Sequence, residues 1–229
     1  MKYWVFDFDG TIVNSFPHYF DALETIFFHY AYPFPKEKLR LGLDKPAFDF
    51  LCDYLDPQNA KDALKLLIQQ SLLDTQRIKP FDGIEVLLQH LTAAGSRLGI
   101  WTNRDLKSTE MILENTGLTK FFEVRISGNC VTKHKPDPEG LQKICNIFCC
   151  LPNEITVVGD HSMDVSGAKT FGATAVRASW HGYWEIERCS IADWQFYSVA
   201  TFYQWIQQQT ACLLSPTHHT GLLSKLTHI

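Results

Sequence analysis

The sequence lacks the features typical of membrane proteins, nucleic-acid-binding proteins and disulfide-rich secreted proteins. No apolar run approaches the roughly 18 residues that a membrane-spanning helix needs. The 229 residues carry 21 Lys and Arg against 25 Asp and Glu, so no basic excess favours binding to nucleic-acid phosphates. The seven cysteines form no even framework and no C-x-x-C pair, and we interpret Cys145, Cys149 and Cys150 as buried reduced thiols. We therefore expect a soluble, cytoplasmic protein without nucleic-acid or membrane partners. The sequence leaves the oligomeric state open, and we take a monomer as the default.

An apolar stretch that ends in two carboxylates is the strongest local pattern. Residues 3–6, YWVF, have no alternating polar residues, which predicts a strand buried on both faces, as in a parallel sheet. Asp7 and Asp9 follow at its carboxyl end, where open α/β sheets bind ligands. Gly10 then breaks the strand and lets a ligand approach the main chain. Taken alone, the pattern fits either a catalytic carboxylate pair or an ordinary acidic turn.

The two carboxylates can take different chemical roles. Because they repel each other, the pair requires a cation, a shared proton, or both. Mg²⁺ is a hard cation that suits such oxygen ligands. Asp7 can then attack phosphorus, while Asp9 gives a proton to the leaving oxygen and later takes one from water.

Two different patterns of residue spacing divide the chain into two regions. Residues 16–79 show apolar side chains at helical spacing and loop signals, which predicts a helical subdomain. From Pro80 onward helices and strands alternate, which predicts βαβ units and a parallel sheet, hence an α/β fold. We expect a core of residues 1–15 and 80–210, an aromatic loop over residues 177–195, and a C-terminal tail over residues 211–229.

Polar residues follow several of the predicted strands at their carboxyl ends, which meet at one edge of a parallel sheet. Thr102 and Asn103 can hold the equatorial phosphoryl oxygens, and Lys135 adds a compact positive charge. Asp160 offers a further anionic ligand for Mg²⁺, with Asp9 contributing its backbone carbonyl. Asp164, four residues after Asp160, can reach the same ion or its waters. Together these groups indicate phosphoryl transfer.

This set of motifs resembles the haloacid dehalogenase superfamily over nearly the whole chain. The four motifs are DFDGT from Asp7, WTN ending at Asn103, KPDP from Lys135, and GDHSMD from Gly159 to Asp164. The resemblance implies a Rossmann-like, doubly wound parallel sheet with a mobile helical cap at residues 16–79, as in its phosphoglycolate phosphatase and phosphomutase branch. It also implies Mg²⁺ bound by Asp7, Asp9, Asp160 and Asp164, and a phosphate site that includes Gly10, Thr102, Asn103 and Lys135.

Two choices narrow the expected reaction. Dehalogenases of the superfamily lack the second Asp of the first motif, so the presence of Asp9 favours phosphate esters. Lys133 competes with Lys135 for the third motif, and we assign Lys135 because similar proteins place the working lysine directly before Pro. His161 stands where Ser is frequent and could alter the leaving-group pocket.

Substrate selection is expected to depend on the cap. Arg40 and Lys45 lie in a loop that resembles the specificity loop of the family, and either could pair with an anionic group of the substrate, unless the loop is simply a solvated basic one. Arg104, next to Asn103, is a further candidate by position. The expected activity is a Mg²⁺-dependent phosphatase acting on a small phosphorylated metabolite, similar to phosphoglycolate or a sugar phosphate. Two alternatives stay open: a phosphomutase, and a catalytically silent binding or regulatory protein.

Overall fold

In a computed structural model of the protein, a six-stranded parallel sheet forms the centre of the molecule. The structure describes residues 2–35, 47–183 and 188–214, with side chains up to residue 209. The strands of the sheet are β1 (Tyr3–Phe6), β4 (Arg97–Trp101), β5 (Phe122–Ile126), β6 (Ile155–Gly159), β7 (Thr174–Ala178) and β8 (Trp194–Phe196). They lie in the order β5-β4-β1-β6-β7-β8. A separate antiparallel pair joins β2 (Val13–Asn14) to β3 (Lys79–Pro80).

Helices cover both faces of this sheet. They are α1 (Phe16–His29), α2 (Ala47–Cys52), α3 (Pro57–Leu73), α4 (Ile84–Ala93), α5 (Leu106–Thr116), α6 (Glu139–Phe148), α7 (Ser162–Phe171) and α8 (Val199–Leu214). One apolar cluster joins the sheet to α4, α5 and α8, and a second joins it to α6 and α7. The predicted doubly wound α/β sheet is therefore confirmed. Within the described residues, no helix is long and apolar enough to cross a bilayer.

The segment between β2 and β3, which we call the insertion, is helical in its described residues. Helices α1, α2 and α3 bury an apolar cluster of their own, which includes Phe27, Phe50 and Leu67. Asp56 begins α3 because its carboxylate accepts hydrogen bonds from the next two amides, those of Gln58 and Asn59. The described residues of the insertion therefore pack around an apolar cluster of their own, and the bounds of a cap at residues 16–79 stay a prediction. Arg40 and Lys45 lie outside the described residues.

Short elements differ from the sequence expectations. The aromatic loop predicted over residues 177–195 contains β8, which pairs with β7 from Val176 to Ala178. The last helix consequently starts at Val199, and it extends to Leu214, past the start of the tail predicted from residue 211. Only Cys145 of the three grouped cysteines is buried, and the prediction was wrong for Cys149. Cys149 ends α6 in the left-handed region at φ 52°, and it lies exposed at the helix end.

Candidate active site

The turn after β1 places the first candidate residues at the carboxyl edge of the sheet. The amide of Asp7 donates to the carbonyl of Val158 at 2.8 Å, so Asp7 still continues the strand. Gly10 has φ +76°, in the left-handed region that favours glycine, and a Cβ atom there would lie 2.5 Å from Oδ2 of Asp160. Its own amide donates to the carbonyl of Val13 at 2.9 Å. Gly10 thus permits close approach to Asp160, and its predicted phosphate contact does not come from that amide.

The end of β6 and the first turn of α7 supply two more carboxylates. Asp160 and Asp164 are both buried. Oδ2 of Asp164 accepts a hydrogen bond from the amide of His161 at 2.9 Å, which fixes this carboxylate at the helix N-terminus. Gly159 is needed beside it, because a Cβ atom there would collide with the Asp164 side chain. Asp7, Asp160 and Asp164 each offer a carboxylate oxygen, and these oxygens all lie within 4.8 Å of one another.

Lys135 bridges two of these carboxylates from the loop before α6. Its Nζ lies 2.5 Å from Oδ1 of Asp7 and 2.6 Å from Oδ1 of Asp164, and its side chain is only 3% exposed. The ammonium group also lies over the ring of Trp101, 4.7 Å from the ring centroid. Lys135 is therefore a buried cation held by three partners from three parts of the chain.

Three carboxylates around one ammonium group leave excess negative charge in a buried site. Burial raises the pKa of Asp7 to about 7, although Lys135 opposes the shift. The pKa of Asp160 is raised well above its usual 3.8 by burial and by the neighbouring Asp7 and Asp164. Burial would lower the pKa of Lys135, but Asp164 and Asp7 outweigh it and the pKa is raised. A compact group of carboxylate oxygens with uncompensated charge fits a hard divalent cation such as Mg²⁺.

Asp9 faces a different neighbour, the guanidinium group of Arg104. Nε of Arg104 lies 2.9 Å from Oδ2 of Asp9, and Nη2 lies 2.7 Å from Oδ1. Burial would raise the pKa of Asp9, but Arg104 and a hydrogen bond from Ser15 outweigh it and hold the pKa below its usual value. Nη1 of Arg104 donates to Oγ of Ser71 in α3 at 2.9 Å. Asp9 is therefore connected through Arg104 to the insertion.

The side chains of Thr102 and Asn103 accept hydrogen bonds from the backbone amides of the two cationic residues, Arg104 and Lys135. Thr102 is buried after β4, and its Oγ1 accepts a hydrogen bond from the amide of Arg104 at 3.1 Å. Oδ1 of Asn103 accepts from the amide of Lys135 at 3.2 Å. The structure thus places both residues next to the acidic site, and their predicted contact with phosphate stays a prediction.

The structure shows where two further residues of the sequence analysis, Lys133 and His161, lie relative to the site. Lys133 lies away from the carboxylates, with a side chain 73% exposed and Nζ 3.6 Å from Asp137, so Lys135 is the lysine at the site. His161 acts as the N-cap of α7, where its Nδ1 accepts from the amide of Met163 at 3.2 Å. This contact gives His161 a local structural task, and a role in the leaving-group pocket stays a prediction.

Sequence reasoning missed the partners of Arg104. Its position after Asn103 was the one signal, and nothing in the sequence indicated that it pairs with Asp9, 95 positions away. Ser71, His18 and Tyr19 from the insertion were also missed, although they line a cavity next to Arg104. Such contacts between distant segments follow from the packing of the insertion on the sheet.

Comparison with known proteins gives a consistent family. The family model described as haloacid dehalogenase-like hydrolase matches residues 4–178. A phosphoglycolate phosphatase from Xylella fastidiosa is 30% identical over 188 residues, which cover 78% of this chain and 80% of that protein. The pyrophosphatase PpaX from Bacillus mycoides is 26% identical, with 77% and 82% covered. A crystal structure of a predicted phosphoglycolate phosphatase from Haemophilus somnus has the same fold, with a TM-score of 0.79, 24% identity, and 90% and 98% covered.

Proposed function

Because the chain belongs to the haloacid dehalogenase-like hydrolase family, we propose that it is a Mg²⁺-dependent phosphatase that acts through an aspartyl phosphate. One observation carries the proposal. Lys135 holds Asp7 and Asp164 at 2.5 and 2.6 Å, and Asp160 offers a third carboxylate oxygen within 4.8 Å of theirs. Three buried carboxylates carry more negative charge than one lysine offsets, and this excess favours the binding of a divalent cation.

The proposed reaction has two steps, which Asp7 and Asp9 share. A carboxylate oxygen of Asp7 attacks phosphorus, the bond between phosphorus and the ester oxygen breaks, and Asp9 donates a proton to that oxygen. Asp9, now a carboxylate, takes a proton from water, and the hydroxyl oxygen attacks phosphorus. The bond between Asp7 and phosphorus breaks, which releases inorganic phosphate and restores both side chains.

The remaining residues of the site hold charge in place. Asp7 and Asp160 would hold the ion, with the backbone carbonyl of Asp9 and with Asp164 beside them. Bound Mg²⁺ would offset the negative charge of the phosphoryl group and keep the carboxylates ionised. Both oxygens of Asp164 already accept hydrogen bonds, from Lys135 and from the His161 amide, which favours an orienting task for this residue. Lys135 keeps Asp7 in position and attracts the phosphate.

The names of the relatives support a substrate class. The insertion contacts Arg104 through Ser71, so it lies beside the part of the site where Asp9 is. Relatives of similar length are named phosphoglycolate phosphatase and pyrophosphatase. We therefore propose a small phosphate monoester, such as a phosphoglycolate-like acid or a sugar phosphate, as the substrate of a monomeric enzyme.

The test is phosphate release from an aryl phosphate and a panel of small phosphate esters, with Mg²⁺ and with a chelator. We expect release that requires Mg²⁺ and that falls by about 10⁴-fold or more in Asp7→Asn, because this variant lacks the nucleophile. Asp21→Asn, which changes an exposed carboxylate on α1, is the matched control and should retain full activity. Folded wild-type protein that binds Mg²⁺ but releases no phosphate from any ester would contradict the proposal.

A further inference from the structure

Two cysteine side chains meet where helix α6 ends, near the amino end of β4. The sulfur atoms of Cys145 and Cys150 lie 3.9 Å apart. Cys145 belongs to the apolar cluster between α6 and the sheet, with 4% of the residue exposed, and Cys150 is half-buried against that cluster. Both are free thiols. The proposed reaction uses neither sulfur, so the pair has no task in the phosphatase site.

The turn that ends α6 holds the two sulfur atoms in this contact. Cys149 has φ 52°, and this left-handed residue reverses the chain so that Cys150 returns over the last turn of the helix. The amide of Cys150 donates to the carbonyl of Cys145 at 3.3 Å, and the thiol of Cys145 donates to the carbonyl of Cys150 at 2.8 Å. Arg97 fixes the same turn, because its Nη1 donates to the carbonyl of Phe148 at 2.7 Å. The backbone therefore sets the contact between the two thiols.

This separation suits the formation of a disulfide bond. An S–S bond is about 2.05 Å long, so two sulfur atoms 3.9 Å apart have to approach by roughly 2 Å. Each cysteine has one side-chain torsion, about the Cα–Cβ bond, and rotation about it moves the sulfur without a shift of the backbone. The backbones of the two residues are already joined by a hydrogen bond. A disulfide can therefore form without unfolding α6.

The contact also changes the acidity of the thiols. Burial and the neighbouring sulfur of Cys145 raise the pKa of Cys150 to about 12. The thiolate that disulfide exchange requires is therefore rare at neutral pH, and exchange is slow. The same shift favours the disulfide at equilibrium, because surroundings that do not stabilise a thiolate do not stabilise the reduced form. We expect a disulfide that forms slowly and persists until a reductant is added.

We propose that Cys145 and Cys150 are a redox-active dithiol, which a low-molecular-weight disulfide such as glutathione disulfide oxidises to an intramolecular disulfide. The thiolate of Cys150, the more exposed of the two, attacks one sulfur of glutathione disulfide, whose S–S bond breaks and releases a glutathione thiolate. The thiolate of Cys145 then attacks the sulfur of Cys150, and the second glutathione thiolate leaves. The protein loses two protons and two electrons, and the two glutathione thiolates take up the protons. The new bond restrains α6, which begins four residues after Lys135.

The test is oxidation of the folded, full-length protein by glutathione disulfide, followed by alkylation of the remaining thiols and digestion with trypsin. One tryptic peptide, residues 144–169, contains Cys145, Cys149 and Cys150 together. We expect this peptide to lose two hydrogen atoms on oxidation, with an alkyl group or glutathione on its third cysteine. Treatment with dithiothreitol before alkylation should give three alkyl groups. No phosphatase activity enters the measurement, so its outcome does not depend on the proposed function.

Three single substitutions identify the cysteines that form the bond. Cys149→Ser is the matched control, because Cys149 lies exposed at the same turn, and this variant should form the disulfide as the wild type does. Cys145→Ser and Cys150→Ser should each abolish it. Circular dichroism establishes that each variant is folded. If Cys145→Ser, a change at a buried position, does not fold, Cys150→Ser at its half-buried position decides the assignment.

Two results would overturn the inference. In the first, the peptide from folded wild-type protein carries only alkyl groups or glutathione after prolonged oxidation and contains no disulfide. The pair would then be an apolar contact that closes the end of the helix. In the second, the disulfide persists in Cys150→Ser or disappears in Cys149→Ser, which would assign the bond to other cysteines.

Discussion

The two carboxylates of the first motif lie two residues apart in the chain but face two different regions of the molecule. Asp7 faces the acidic centre of the sheet edge, where burial raises its pKa to about 7. Asp9 faces the contact with the insertion, where Arg104 outweighs burial and holds the pKa of Asp9 below its usual value. Two residues with one kind of side chain thus acquire opposite shifts from their neighbours.

The difference shows how one turn can supply two chemical functions. Asp7 lies among other carboxylates, so its ionised form depends on a cation that offsets their charge. Asp9 already has a cation, Arg104, which connects it to Ser71 of the insertion. A nucleophile must be ionised and a proton donor must be protonated, so the pKa shifts of the metal-free site are the reverse of the proposed roles. The proposed reaction therefore requires a bound cation that keeps Asp7 ionised and a substrate that weakens the contact of Arg104 with Asp9, so that Asp9 can carry a proton.

Removal of the lysine on the Asp7 side should give the largest effect on stability. Lys135→Ala leaves Asp7 and Asp164 buried without their shared partner, which should cost about 3–5 kcal/mol in the free energy of unfolding. Urea unfolding of metal-free protein at neutral pH measures this cost. Lys133→Ala is the control, and it should change the free energy by no more than about 0.5 kcal/mol because its side chain is exposed. Equal costs for both variants would contradict the buried bridge.

The opposite pKa shifts should give opposite pH dependences of stability. Between about pH 4 and pH 7 the folded protein keeps a proton on Asp7 that the unfolded chain has lost, so the stability of metal-free protein should fall as pH rises through this window. The lowered pKa of Asp9 acts in reverse, because its contribution is present above about pH 4 and is lost as pH falls further.

Thermal unfolding as a function of pH, measured in the presence of a chelator, separates the contributions of Asp7 and Asp9 to stability. Asp7→Asn should reduce the decline between about pH 4 and pH 7 to the part that Asp160 contributes, because the pKa of Asp160 is also raised. Asp9→Asn should flatten the loss below about pH 4. Added Mg²⁺ should stabilise the wild type more at higher pH, because ion binding requires ionised carboxylates. A decline that persists unchanged in Asp7→Asn would show that another group carries it.

A smaller effect on stability is expected at the N-terminus of α7. His161→Ala removes the acceptor of the Met163 amide and should cost about 1 kcal/mol in stability, the usual contribution of an N-cap. Because the proposed reaction places the leaving oxygen next to Asp9, the KM for small esters should stay unchanged. A raised KM with unchanged stability would instead place His161 in the leaving-group pocket.

The sequence predicts those helices and strands that are long enough for a periodic pattern of apolar residues to show. The apolar run of β1 and the alternation of helices and strands after Pro80 predict the parallel sheet, but not β8, whose three residues lie in an aromatic-rich segment. The pair β2 and β3 has two residues in each strand, too few for any periodicity to show. The grouping of Asp7, Asp160 and Lys135 could be expected, because these residues follow strands or lie in a loop at the same edge of the sheet, and Asp164 lies in the first turn of the helix after Asp160. The contact of Arg104 with Asp9 and Ser71 could not, because it depends on how the insertion packs.

The central claim, that Asp7 forms the covalent intermediate and Asp9 moves the proton, is tested most directly by a burst experiment with Asp9→Asn. An aryl phosphate has a good leaving group that needs little help from an acid, whereas hydrolysis of the aspartyl phosphate needs a base. Rapid mixing should therefore show a burst of about one equivalent of the aryl alcohol per enzyme, followed by turnover slowed about 10²- to 10⁴-fold. Mass spectrometry of the quenched protein should find the phosphoryl group on the peptide that carries Asp7. Slow turnover without a burst, or a phosphoryl group on any other peptide, would contradict the account.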